Sequence, residues 1–197
     1  MEIDKAMERL QHTNNDVTRQ QSKSCDGLGK TMRRRYGDRE RFMNTFTFEH
    51  EPTYCRHAER CVLGSAPTLS QVNAAYGANT SAAMMIPMLF DVSEFCGCKE
   101  KITPKQIDQL ADIITLDYGY LKVTEVMLFF WWFKGGRYGK FYGSVDPMVI
   151  TTALREFVKD RNVLIARKES EDEERRQAEW KKNAITYEQW RARHEEV

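Results

Sequence analysis

Apolar positions recur at helical spacing only in the middle of the chain, from about Ala66 to Ile165. Pro67-Thr68-Leu69 opens a predicted helix that runs to about Tyr76, and Gly77 ends it with a left-handed cap. Asn79 is expected to cap a second helix through Met84, Met85, Leu89, Val92 and Phe95, with Pro87 kinking it from inside. Thr103-Pro104-Lys105-Gln106 carries an N-cap, a proline at the first position and a glutamine at the third. Ile107, Leu110, Ala111, Ile114 and Tyr118 then share one face, and Gly119 breaks the helix. Thr124-Glu125 starts a further helix that Gly135-Gly136 stops. Asp146-Pro147 starts the last one, whose stripe is Ile150, Ala153, Leu154, Phe157, Val158, Leu164 and Ile165. Period-2 alternation is almost absent from 66–165, so the expected fold class is all-α.

One block dominates this pattern. Val126 to Phe133 is eight consecutive apolar residues, five of them aromatic. Such a run belongs in a core, so Phe129, Phe130 and Phe133 are expected to be buried. Neighbouring helical residues point about 100° apart, so either Trp131 or Trp132 must face outward. A loop of glycine, base and ring follows at once: Lys134-Gly135-Gly136-Arg137-Tyr138-Gly139-Lys140-Phe141-Tyr142-Gly143.

The flanks read differently. Gln11 to Arg41 is rich in Asn, Gln, Ser, Lys and Arg and carries almost no aliphatic residue, with Arg33, Arg34 and Arg35 consecutive. Phe42, Phe46, Phe48 and Tyr54 follow as a short strand or an aromatic strip that docks on the main domain. A short helix is also conceivable over residues 4–11. After Ile165 acids and bases alternate in blocks, as in a solvated helix, and Thr186 with Gln189 suggests a capped terminal helix carrying Trp190. The expected organisation is a flexible basic arm with a short aromatic segment (1–65), a helical core (66–165) and a charged C-terminal helical extension (166–197).

Composition narrows the function classes. The chain has 197 residues, 41% apolar and 30% charged, with a net charge of +1, so nucleic-acid affinity would have to come from local patches. The start, Met1-Glu2-Ile3-Asp4, is acidic and leads into no signal peptide; the longest apolar run is too short to cross a membrane. Five cysteines, an odd number, suit a reduced cytoplasmic setting better than a disulfide framework.

The candidate chemistry is mostly negative. Cys55, His57, Cys61, Cys96 and Cys98 offer thiols and an imidazole, but neither cluster has the spacing of a zinc knuckle, so no metal or other cofactor is expected. The four histidines, His12, His50, His57 and His194, lie outside the predicted core, where nothing would hold a base against a nucleophile. Asp108 and Asp112 need only be a solvated helix face. Gly27-Leu28-Gly29-Lys30-Thr31 looks like the end of a phosphate loop but lacks the preceding strand and the first glycine. The stronger signal is the loop. Gly136-Arg137-Tyr138-Gly139 has spacing that lets backbone amides approach phosphates, Lys134, Arg137 and Lys140 add charge, and Tyr138, Phe141 and Tyr142 either stack on bases or fold back onto the core.

Leu110-Ala111-Asp112-Ile113-Ile114, Asp117-Tyr118-Gly119-Tyr120-Leu121, Glu125 to Phe130, Phe133 to Gly143 and Asp146-Pro147 carry a resemblance. Between about Pro67 and Asn162 the chain resembles an uncharacterised domain family of Bacteroidota, often met on mobile elements and their phages. In its succession of short helices it is also similar to the replisome organisers and helicase loaders of phages and plasmids. The resemblance implies a genomic setting and carries no activity. The expected function is therefore a non-enzymatic accessory of DNA replication or maintenance. It would bind nucleic acid through Arg33, Arg34, Arg35, Lys134, Arg137, Tyr138, Lys140 and Tyr142, and a protein partner through its terminal helix, without a membrane. The alternative is a protein-interaction adaptor that binds no nucleic acid.

Overall fold

The computed structural model describes residues 27–184 and Arg191. The helices, in order, are α1 (27–36), α2 (Arg39–Thr45), a 3-10 turn (Phe48–His50), α3 (Glu51–Tyr54), α4 (Ala58–Leu63), α5 (Leu69–Tyr76), α6 (Thr80–Phe95), α7 (Pro104–Asp117), α8 (Val123–Lys134) and α9 (Pro147–Asn183). Among the described residues there is no strand, only isolated bridges such as Thr68 with Lys122. The fold is all-α, as expected. The chain divides into two compact units, one ending at Phe157 and one starting at Val158.

Local chemistry sets the helix starts. Thr68 with Gln71 and Thr103 with Gln106 form reciprocal capping boxes, and Pro104 opens α7. Asp146 Oδ1 accepts from the Met148 amide at 2.8 Å and starts α9. Glu125 Oε2 accepts from the Lys122 amide at 2.7 Å, so α8 begins at Val123. Asn79 does stand before α6, but its side chain makes no cap bond. Its φ of 65° is left-handed, a conformation asparagine tolerates, and Asn73 Oδ1 caps instead, accepting from the Ser81 amide at 2.9 Å. Pro87 lies inside α6, which runs as one helix to Phe95.

The first unit is centred on α8. Val126, Met127, Leu128, Phe129 and Phe130 are fully enclosed and Phe133 is buried, while Trp131 is 41% exposed. The Phe129 ring lies 5.1 Å from Phe130, 5.8 Å from Phe133 and 5.6 Å from Phe157. Of the faces read from periodicity, Met84, Met85, Leu89 and Val92 of α6 and Ile107, Leu110, Ala111 and Ile114 of α7 are buried, while Phe95 is exposed; α5 adds Leu69 and Val72 to the core.

Residues 27–41, expected to belong to a flexible basic arm, are mostly helical, and the aromatic segment after them is packed. Met32, Phe42, Phe46, Cys55, Cys61 and Val62 are buried, and α3 and α4 pack on α8. Phe42 and Phe46 lie 4.9 Å apart in a ring cluster with Tyr36, Tyr54 and Tyr76. The segment is helical, so the strand alternative falls and the docking aromatic strip is the correct half. The physical reason is that a few large rings bury enough area to replace many aliphatic side chains. Polar anchors help. Lys122 Nζ donates to the Val62 and Gly64 carbonyls at 2.6 and 2.7 Å, Thr124 Oγ1 donates to the Cys61 carbonyl at 2.8 Å, and the Tyr76 hydroxyl donates to the Gly37 carbonyl at 3.1 Å. The short helix over 4–11 and the terminal helix around Thr186, Gln189 and Trp190 lie outside the described residues.

In α9 the buried stripe is Ile150, Ala153, Leu154 and Phe157. It stops there; Val158, Leu164 and Ile165, read as core, are only half-buried. In the second unit the helix carries ion pairs one turn apart: Arg167 with Glu171 at 2.9 Å, Lys168 with Asp172 at 3.2 Å, Arg175 with Asp172 at 2.9 Å, and Arg176 with Glu173. These are exposed pairs that stabilise a helix by only about 0.3–0.5 kcal/mol each.

Candidate functional site

The loop after α8 is built by its glycines and held by the end of the helix. Gly136 has a φ of 78°, and its amide donates to the Phe133 carbonyl at 2.9 Å; the Arg137 amide donates to the Trp132 carbonyl at 3.1 Å. The chain therefore turns back over the last turn of α8. The Arg137 guanidinium carbon comes to 3.8 Å from the Trp132 ring centre, a cation over the face of an indole.

The rings of the loop divide between core and solvent. Tyr138 is half-buried, 6.2 Å from Phe129 and edge-on to Phe157 at 6.3 Å. Phe141 lies 5.5 Å from Phe133. These two fold back onto the core. Tyr142 is 80% exposed, with Lys140 Nζ 5.3 Å from its ring centre.

Lys134 is committed elsewhere. Its Nζ lies 2.6 Å from Glu51 Oε2 and 2.6 Å from Asp91 Oδ2, and the side chain is 12% exposed. Glu51, from α3, is 1% exposed, and its Oε1 has no hydrogen-bond donor among the described residues. Burial pushes the Glu51 carboxyl up to about 7, against the pull of Lys134 and with a push from Asp91. Burial opposes the Lys134 ammonium, but Asp91 and Glu51 outweigh it and hold this group above its ordinary range. Lys134 thus fastens α8 to α3 and α6. The basic run read from the sequence shortens to Arg137 and Lys140.

A cavity of about 410 Å³ opens beside this anchor. Phe95 closes α6, Trp131 comes from the last turn of α8, and Trp132, Lys134, Gly135, Arg137 and Asp91 complete the lining. Phe95 is 63% exposed. Nothing in the spacing joins Phe95 to Trp131; Phe95 sat in the α6 stripe. The available signal was its place as the last residue of α6, just before the cap Cys96.

Arg33, Arg34 and Arg35 are exposed on α1. Arg35 donates to the Ser65 carbonyl at 3.2 Å and to its hydroxyl at 2.8 Å, and stands 5.1 Å over the Tyr36 ring. The contacts of α1 run to Ser65 and the Tyr36 cluster, whereas those of the loop run to α8 and Phe157. The two basic segments rest on different supports. Gly27 to Thr31 is helical, so its likeness to a phosphate loop ends there.

The cysteines fall into two groups. Cys55 and Cys61 are buried; the hydrogen bond between their thiols raises Cys55, with burial adding to it, and lowers Cys61. Cys61 Sγ also donates to the Tyr54 carbonyl at 3.1 Å. Cys96 and Cys98 are half-buried past the end of α6, and His57 is exposed before α4. Among the described residues no three His, Cys, Asp or Glu side chains are placed to hold a metal ion. No described helix is long and apolar enough to cross a membrane.

Residues 101–196 match a family of unknown function (DUF6633). The match begins later than the stretch that carries the resemblance and takes in the charged part of α9. No curated protein and no solved structure matches the chain.

Proposed function

We propose that this protein is a non-enzymatic accessory of DNA replication or maintenance on a phage or other mobile element, acting in the cytoplasm by binding nucleic acid. The observation that carries the reading is the pair of cation–ring contacts at the end of α8. Arg137 rests on Trp132, and Lys140 stands over the exposed Tyr142. Gly136 before Arg137 and Gly139 before Lys140 have positive φ, and a Cβ there would meet open space, so the backbone is accessible to a ligand. Charge next to flat rings on an open backbone suits a phosphate chain with stackable bases. Arg33 and Arg34 would add phosphate contacts from α1.

Fluorescence anisotropy against labelled DNA and RNA tests this reading. Binding should weaken steeply with salt, because each neutralised phosphate releases counterions. Arg137→Ala combined with Lys140→Ala should flatten the slope of log K against log salt by about one to two contacts. The reading fails if no salt-sensitive binding occurs at micromolar protein.

One observation favours a protein-interaction adaptor instead. Leu116 is 81% exposed on α7, and Ile113 with Met148 lines a cavity of about 440 Å³ between α7 and the start of α9. Exposed apolar surface of this kind marks partner-binding faces. Affinity that is insensitive to salt and to nucleic acid, and that falls with Leu116→Ser, would select this reading.

A further inference from the structure

We infer that the cavity between the last turns of α6 and α8 holds an unpaired nucleobase, so that the protein prefers single-stranded nucleic acid to duplex. The inference rests on the nucleic-acid reading above and names the ligand of the same site.

Two large rings with no core duty form the walls. Phe95 and Trp131 both line the cavity and both stay substantially exposed, although α8 buries Phe129, Phe130 and Phe133. The volume, about 410 Å³, lies within the range of small-ligand pockets and is ample for one base. Charge then selects the occupant. Arg137, its guanidinium carbon 3.8 Å from the Trp132 ring centre, lines the same cavity and supplies a cation at its edge. Lys134 is contacted by Asp91 and Glu51, each at 2.6 Å, so its charge is already engaged within the protein. Aromatic walls with an arginine at the edge suit a flat ring joined to a phosphate. Asp91, which lines the cavity and is 27% exposed, adds an acceptor for an amino group on the edge of a base.

The duplex is disfavoured for a simple reason. Its bases are stacked on one another and offer no open face, so one must be unstacked and flipped to enter the cavity. Loop cations alone would not distinguish the two forms strongly, because both present phosphates.

The test is anisotropy with a labelled oligonucleotide of about a dozen nucleotides, single-stranded or annealed to its complement. It uses the full chain and four variants: Trp131→Ala, Phe95→Ala, Phe95→Leu, and Arg137→Ala with Lys140→Ala. Single strand should bind about tenfold or more tightly than duplex, and each ring variant should lose about tenfold on single strand alone. Phe95→Leu keeps an apolar side chain and removes only the ring, so its loss of affinity with unchanged melting separates stacking from folding. Equal binding of both forms overturns the inference. So do ring variants that bind like the parent while the loop variant weakens, an outcome that leaves the nucleic-acid reading intact. No binding of either form removes both.

Discussion

At the residue scale, Lys134 shows how far a local pattern reaches. In the sequence it is the first of three cations in a glycine-rich loop. In the structure it is a buried anchor between Glu51 and Asp91, carboxylates supplied by α3 and α6. No spacing rule identifies partners so distant in the chain. Phe129 and Phe130, in contrast, were legible because an unbroken apolar run has nowhere to go but inside. Two predictions belong here. Phe130→Ala should cost about 3–5 kcal/mol in chemical denaturation, because the enclosed ring leaves a cavity. A variant that melts within a degree or two of the parent would contradict the placement of α8 in the core. The second concerns pH. The folded-state Glu51 carboxyl titrates at about 7, above its ordinary 4.5, so the folded protein binds this proton more tightly than the unfolded chain. That contribution to stability is fully present below about pH 4.5 and is lost as pH rises through about 7, on the order of 2–3 kcal/mol. Urea unfolding at pH 5 and pH 8 should show the parent less stable at the higher pH by this carboxyl's share, with Glu51→Gln removing that share. An equal pH dependence in parent and variant would show that Glu51 is not the titrating group.

At the element scale, start signals and periodicity located α5 to α9, although the cap of α6 comes from Asn73 of α5. Thr68-Gln71, Thr103-Gln106 and Asp146-Pro147 are chemically explicit. The short helices α1 to α4 were not legible. They have few aliphatic residues, and their burial depends on rings meeting across the fold, such as Phe42 with Tyr76 at 4.9 Å. Phe42→Ala should therefore lower stability by about 3–5 kcal/mol, as for any fully enclosed phenylalanine. An arm that merely hung from the domain would show no change in the thermal melt. The start of α6 offers a sharper comparison. Asn73→Ala should cost about 0.5–2 kcal/mol, the value of a lost cap, because Asn73 Oδ1 holds the Ser81 amide. Asn79→Gly should be close to neutral or stabilising, since glycine adopts the left-handed φ of 65° without penalty. The opposite ranking would restore Asn79 as the cap.

At the scale of the whole molecule, a net charge of +1 says nothing of where binding occurs. Sequence reasoning drew the candidate site from the loop after α8, whereas the cavity there is lined by residues of two helices and the loop. Tyr138 and Lys134 turn inward, while Phe95 and Trp131, joined only by the packing of α6 on α8, form the cavity. Periodicity finds the buried face of each helix; it does not say which exposed residues of two helices meet. The most direct test of the central claim is ultraviolet crosslinking of the full-length protein to a single-stranded oligonucleotide, with the modified peptides identified by mass spectrometry. Crosslinks should fall on Phe95, Trp131 and Tyr142, and should disappear at high salt. Crosslinks confined to residues 27–41 or 158–183, or none under conditions where the oligonucleotide is bound, would contradict a nucleic-acid site at the end of α8.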